Sequence, residues 1–194
     1  IVYANERRVH KGVVYACNTI TGDTYLVDVL KNPDNEVLLQ DIIIPASLPV
    51  NGVERQIDFT KSRINVDALR SVTFSEGYTT LPDNLRLREW SYLNLQTLSL
   101  PSTLQRVGSA ALDYLRFKCL ECNAVNPPVL DCDIPNASSV VLFVPEGSVS
   151  AYRKANKWKE CGRILPLGTD ISVPQPLTYD ANGIFMTLDS VLCT

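Results

Sequence analysis

The chain has 194 residues, 45% hydrophobic and 20% charged, a balance that fits one folded core and excludes a disordered chain. Its 21 acidic residues outnumber its 18 basic ones for a net charge of −3, which weighs against nucleic acid, since phosphate binding needs clustered positive charge. No apolar run reaches the ~20 residues of a membrane span, and any histidine-based triad or metal site would have to use the single histidine, His10.

Residues 1–11 read as an N-terminal segment ahead of the fold. Ile1-Val2-Tyr3-Ala4 is compatible with the last residues of a secretion signal and equally with an arbitrary start. Val13-Val14-Tyr15-Ala16 and residues 25–30 read as strands flanking Thr21-Gly22-Asp23, a hairpin turn. A short motif of two apolar residues around one variable position then recurs. Its copies are Ile42-Ile43-Ile44, Val72-Thr73-Phe74, Leu98-Ser99-Leu100, Leu120-Glu121-Cys122 and Leu142-Phe143-Val144. Their first residues (42, 72, 98, 120 and 142) are spaced by 30, 26, 22 and 22. The last three spacings lie within the roughly 20–29 residues of leucine-rich repeats.

The central copies agree beyond the motif. A shift of 26 residues pairs Tyr78 with Leu104, Leu81 with Val107 and Leu85 with Ala111, all apolar or small. Alternate residues of a strand face opposite sides, so Val72, Phe74, Leu98, Leu100, Leu120 and Cys122 are expected inward. Ile43, Thr73, Ser99, Glu121 and Phe143 are expected to form one outward column. Residues 109–115 are expected to make about two helical turns on the return path, by propensity.

Past the last copy, Ser148 can cap an amphipathic stretch in which Val149, Tyr152, Ala155 and Trp158 share one side, with Gly162 as its stop. Arg153, Lys154, Lys157 and Lys159 read as its solvated face. Ile164-Leu165-Pro166 adds a last strand. Gly168, Pro174 and Pro176 mark a linker, and residues 178–186 read as a hairpin around Asn182-Gly183.

The fold expected from this pattern is an α/β repeat, a short right-handed leucine-rich-repeat solenoid with a parallel sheet on one face. A β-hairpin cap (residues 12–44) opens the repeat domain (residues 12–167) and a helix-strand cap (residues 145–167) closes it. Residues 168–194 form a linker and hairpin tail. The segment LQTLSLPSTLQRVGSAALDYL (residues 95–115) resembles the BspA-type, or Treponema pallidum-type, leucine-rich repeat. Asn126-Pro127-Pro128, Leu142-Phe143-Val144-Pro145-Glu146-Gly147-Ser148, Ala151-Tyr152 and Trp158-Lys159 resemble that family's terminal cap. The resemblance covers roughly residues 9–167. It implies a secreted or surface protein of Bacteroides-like bacteria, engaged in adhesion or protein binding.

Other motifs are weaker. Cys119-Leu120-Glu121-Cys122 has CxxC spacing but no second pair, and it falls on a repeat strand rather than a helix N-terminus, so core packing or a structural disulfide is expected before metal or redox chemistry. Asp131-Cys132-Asp133 has too few oxygen ligands for calcium and reads as a turn. Asn136-Ala137-Ser138 fits the short glycosylation pattern. These residues point to a non-catalytic protein without a cofactor. Its binding face would be the outward column at Thr73, Ser99, Glu121 and Phe143, with Phe143 as anchor and a protein or extracellular-matrix partner. The alternative is glycan capture on exposed aromatics, Phe143 or Trp90, and the third reading is a CxxC redox or metal protein.

Overall fold

Strands make up nearly all of the regular structure, because the apolar residues alternate in short runs cut by glycine, proline and asparagine turns. The computed structural model describes residues 5–29, 40–62, 69–85, 87 and 93–171. Three strands, β1 (Asn5–His10), β2 (Val13–Asn18) and β3 (Thr24–Val29), form an antiparallel meander. Lys11 and Gly12, with φ of 47° and 79°, turn β1 into β2, the left-handed pair that a two-residue hairpin needs. The expected hairpin between β2 and β3 is present, closed where the Asn18 amide donates to the Asp23 carbonyl at 2.8 Å. The N-terminal segment adds a third strand, which places the partly exposed His10 opposite Val13.

After β4 (Asp41–Ile44) comes a small hairpin of β5 (Ser47–Val50) and β6 (Val53–Gln56), turned by Asn51-Gly52. Then follow β7 (Ser71–Phe74), β8 (Thr80–Leu81), β9 (Leu93–Leu100), β10 (Arg106–Val107), β11 (Leu115–Cys122), β12 (Val129–Leu130), β13 (Val141–Val144), helix α1 (Val149–Tyr152) and β14 (Arg163–Pro166). Strands β4, β7, β9, β11, β13 and β14 lie side by side in chain order as one six-stranded parallel sheet. Ile42 pairs with Val72, Val72 with Leu98, Leu98 with Leu120 and Leu120 with Leu142, the register that the spacing predicts. Their side chains are at most 1% exposed and belong to the main core. The short strands β8, β10 and β12 form a second parallel ladder, in which Leu81 pairs with Val107 and Val107 with Leu130.

This architecture corrects the expected α/β repeat solenoid. The chain is mostly strand arranged in several separate sheets, and among the described residues its α-helix is four residues long. Two local causes are visible. Ala110 sits at φ 55°, which no right-handed helix tolerates, and the bonds after it run three residues back: Asp113 to Ala110 at 3.4 Å, Leu115 to Leu112 at 3.0 Å. Leu115 is then taken up as the first residue of β11. The return path thus consists of turns and two-residue strands where helices were expected. At the C-terminal end, α1 is flanked by 3₁₀ turns at Glu146–Ser148 and Trp158–Glu160 instead of forming one continuous cap helix. The Ser148 hydroxyl donates to the Val125 carbonyl at 2.7 Å and does not cap α1.

The expected apolar side of that segment is present all the same. Tyr152 and Trp158 are buried and meet edge-on, 5.2 Å between ring centroids, with Val149 and Ala155 packed beside the core. Tyr152 donates to the Ala124 carbonyl at 2.7 Å and Trp158 Nε1 to the Pro128 carbonyl at 2.8 Å. Gly162 is needed for close approach: a Cβ there would lie 2.2 Å from the Ser138 carbonyl oxygen.

Successive rungs are also tied by one carboxylate. Glu76, just after β7, accepts the Ser102 amide at 2.9 Å, the Ser102 hydroxyl at 2.8 Å and the Thr103 amide at 3.2 Å. These bonds, the Ser102 amide first, hold its pKa below the ordinary value. A lowered folded pKa means stability that is present above the unfolded value and is lost as pH falls through the folded one. Glu76→Gln is therefore expected to lower the melting temperature at neutral pH and to converge with the parent as pH falls through the folded pKa. A difference that persists undiminished at low pH would contradict this role.

Candidate functional site: the outward face of the parallel sheet

The parallel register lines up two outward columns. One runs Ile43, Thr73, Ser99, Glu121, Phe143 and Leu165, the first five as expected from sequence. The other runs Asp41, Ser71, Thr97, Cys119, Val141 and Arg163. Strands in a sheet are about 4.8 Å apart, so each column is a ladder of closely spaced side chains.

The face divides into two halves of different chemistry. On β4, β7 and β9 it is polar: Ser71, Thr73, Thr97 and Ser99 form a block of hydroxyls, bounded by Asp41 and by Ile43, which is 37% exposed. The Ser71 hydroxyl donates to Asp41 at 2.7 Å, and Arg70 Nε lies 3.7 Å from the same carboxylate oxygen. Glu121 on β11 is partly exposed beside this block. From Cys119 of β11 across β13 to Leu165 of β14 the face is mainly apolar and largely covered. Cys119, Val141 and Phe143 pack with Ile171 as a second cluster, with Leu165 and Leu167 against it.

This placement changes the expected anchor. Phe143 faces outward in the predicted column, yet it is only 7% exposed because the segment after β14 returns over it. Ser99 is also buried, at 9%, whereas Thr73 and Glu121 are partly exposed. Sequence reasoning did not single out Asp41, Ser71 and Thr97, although the alternation that identified the first column implies a second one two residues away. Trp90 and the tail hairpin of residues 178–186 lie outside the described residues.

The CxxC spacing resolves by strand parity. Cys119 and Cys122 are three apart on β11, and three residues along a strand reverse the side. Cys119 faces the covered half of the outward face and Cys122 faces the main core, 3.2 Å from the Tyr152 hydroxyl. The two sulfurs therefore do not share a metal or a mutual bond. Cys119 is disulfide-bonded, while Cys17, Cys122, Cys132 and Cys161 are free and buried. Burial pushes the thiols of Cys122 and Cys132 up and that of Cys161 up to about 12, the reverse of a reactive cysteine. Peptides carrying these three residues are expected to stay unmodified by iodoacetamide at neutral pH until denaturant is added. Rapid labelling of the folded protein would show an activated thiol instead.

The remaining motifs are tied down by ion pairs. Asp131 pairs with Arg106, which also reaches Asp83 at 3.7 Å, and Asp133 pairs with Lys157 at 3.1 Å, with Cys132 buried between them in sequence. Among the described residues no group of three or more histidine, cysteine or acidic side chains could hold a metal ion. Asn136 adopts a left-handed φ of 53° ahead of the 3₁₀ turn Ala137–Ser139. Among the described residues no helix is long and apolar enough to cross a membrane. Comparison with protein-family models, with curated proteins and with solved structures finds no match to this chain.

Proposed function

We propose that the chain is a non-catalytic binding module that holds a protein partner, such as an extracellular-matrix component, against the polar half of its outward sheet face. The observation that carries this reading is the alignment of Ile43, Thr73 and Glu121 with Asp41, Ser71 and Thr97 on neighbouring strands. Such a surface presents side chains that can change without disturbing the inward ladder, and it sets one exposed aliphatic group among hydroxyls and carboxylates that can hydrogen-bond a partner. The disulfide at Cys119 supports a secreted or cell-surface setting, because disulfides persist in oxidising compartments. The resemblance of residues 95–115 and of the segment around Trp158 to BspA-type repeats supports the same setting and an adhesive role.

The test is a surface-binding screen of the protein against immobilised matrix proteins, repeated with Ile43→Arg, Thr73→Arg and Glu121→Arg combined. Ser99 is left intact because an arginine at a buried site would threaten the fold. Saturable binding by the parent, lost in a variant that melts at the same temperature, supports the proposal. Binding that the folded variant retains would move the site off this face.

A further inference from the structure

We propose that a groove at the first halves of β9 and β11 is a separate binding site for an acidic sugar, with Lys118 and Arg116 holding its carboxylate. The groove arises from unequal strand lengths. Strand β13 joins β11 only from Cys119 onward, so Leu115–Lys118 runs ahead of it, and among the described residues Leu115–Phe117 pairs on one side alone, with Leu93–Leu95 of β9. The chain before β13 fills part of this gap with the left-handed Asn136 and the 3₁₀ turn Ala137–Ser139, held where the Gly162 amide donates to the Ala137 carbonyl at 2.9 Å. What remains is an open cavity of about 380 Å³ lined by Asn94, Leu95, Arg116, Phe117, Lys118, Asn136, Ser138 and Ser139.

Three features of this lining define the ligand. Among the described residues it carries two cationic side chains and no acidic one, in a chain whose net charge is negative. Lys118 is exposed, and Arg116 is held by bonds from Nη1 to the carbonyls of Leu115 at 2.8 Å and Asp113 at 3.0 Å, which preorganises its guanidinium. Asn94, Asn136, Ser138 and Ser139 bring groups that accept as well as donate hydrogen bonds. A fully ionised inorganic anion offers only acceptors and would leave those oxygens unused, whereas sugar hydroxyls both donate and accept. Leu95 and Phe117 border the groove with their side chains packed into the main core, so the polar groups carry the recognition. The volume suits one or two sugar rings rather than a lone phosphate.

The experiment is calorimetric titration of the full chain with a uronate-containing disaccharide, with a neutral disaccharide of the same size and with inorganic phosphate. Saturable binding of the uronate is expected, about tenfold or more tighter than either of the other two, and weakening as salt is raised. Lys118→Glu is expected to weaken it by about tenfold or more, while Lys118→Arg stays within about threefold, both with an unchanged melting temperature. Equal affinity for the neutral sugar, phosphate binding as tight as the uronate, no saturable binding, or indifference to Lys118→Glu would each overturn the assignment. None of these outcomes bears on the protein-binding face, whose arginine variants leave the groove untouched.

Discussion

Trp158→Ala is expected to destabilise the protein by about 3–5 kcal/mol, the range for removing a buried large aromatic. Trp158 is 1% exposed, packs edge-on against Tyr152, and donates its indole N–H to Pro128. Its removal leaves a cavity, an unpaired carbonyl and an open end on the core beside β14. Trp158→Phe separates these contributions: it keeps much of the apolar volume and loses the donor, so a smaller cost of about 1–3 kcal/mol is expected. Denaturant melts of the three proteins check the order. A Trp158→Ala midpoint within error of the parent would show that this residue does not seal the core.

Leu98→Ala is expected to cost about 2–5 kcal/mol, while Thr73→Ala on the outward column stays within about 0.5 kcal/mol. Leu98 has no exposed surface and sits in register between Val72 and Leu120, so truncation opens a void with packed neighbours on both adjacent strands. Thr73 is partly exposed and has no comparable packing to lose. Equal effects of the two substitutions in denaturant melts would contradict the inward and outward assignment of the sheet.

The register of that sheet was legible because it rests on local rules. A period of two on each short strand, repeated at 26 and 22 residues, leaves one way to bury Val72, Leu98, Leu120 and Leu142 together. The secondary structure between the strands was less legible. Residues 109–115 have the composition of a helix, but the left-handed Ala110 and the capture of Leu115 by β11 override propensity. A readable signal was also missed. Leu93-x-Leu95-x-x-Leu98-x-Leu100 matches Leu115-x-Phe117-x-x-Leu120-x-Cys122, and all eight side chains are in the main core. Two inward pairs separated by three residues require both strands to turn over together, at Gln96 and Lys118, and this lengthens them to eight residues.

The candidate site was legible as a column and not as a surface. Strand alternation tells which way Phe143 points, but whether it meets solvent depends on Ile171, which arrives from beyond β14 by tertiary packing. The CxxC motif shows the opposite balance: once the strand was assigned, parity alone placed Cys119 and Cys122 on different sides. The groove beside β11 had no sequence signature, because it depends on where β13 begins relative to β11.

The division of the outward face into an open polar half and a self-covered apolar half is what the functional reading stands on, and cysteine accessibility measures it directly. Ile43→Cys and Phe143→Cys, each made separately, are exposed to a thiol reagent under native conditions and read out by peptide mass. Rapid modification at position 43 and slow modification at position 143, reversed to equality only by denaturant, is the expected result. Comparable native rates at the two positions would contradict the division and reopen the whole face as the binding surface.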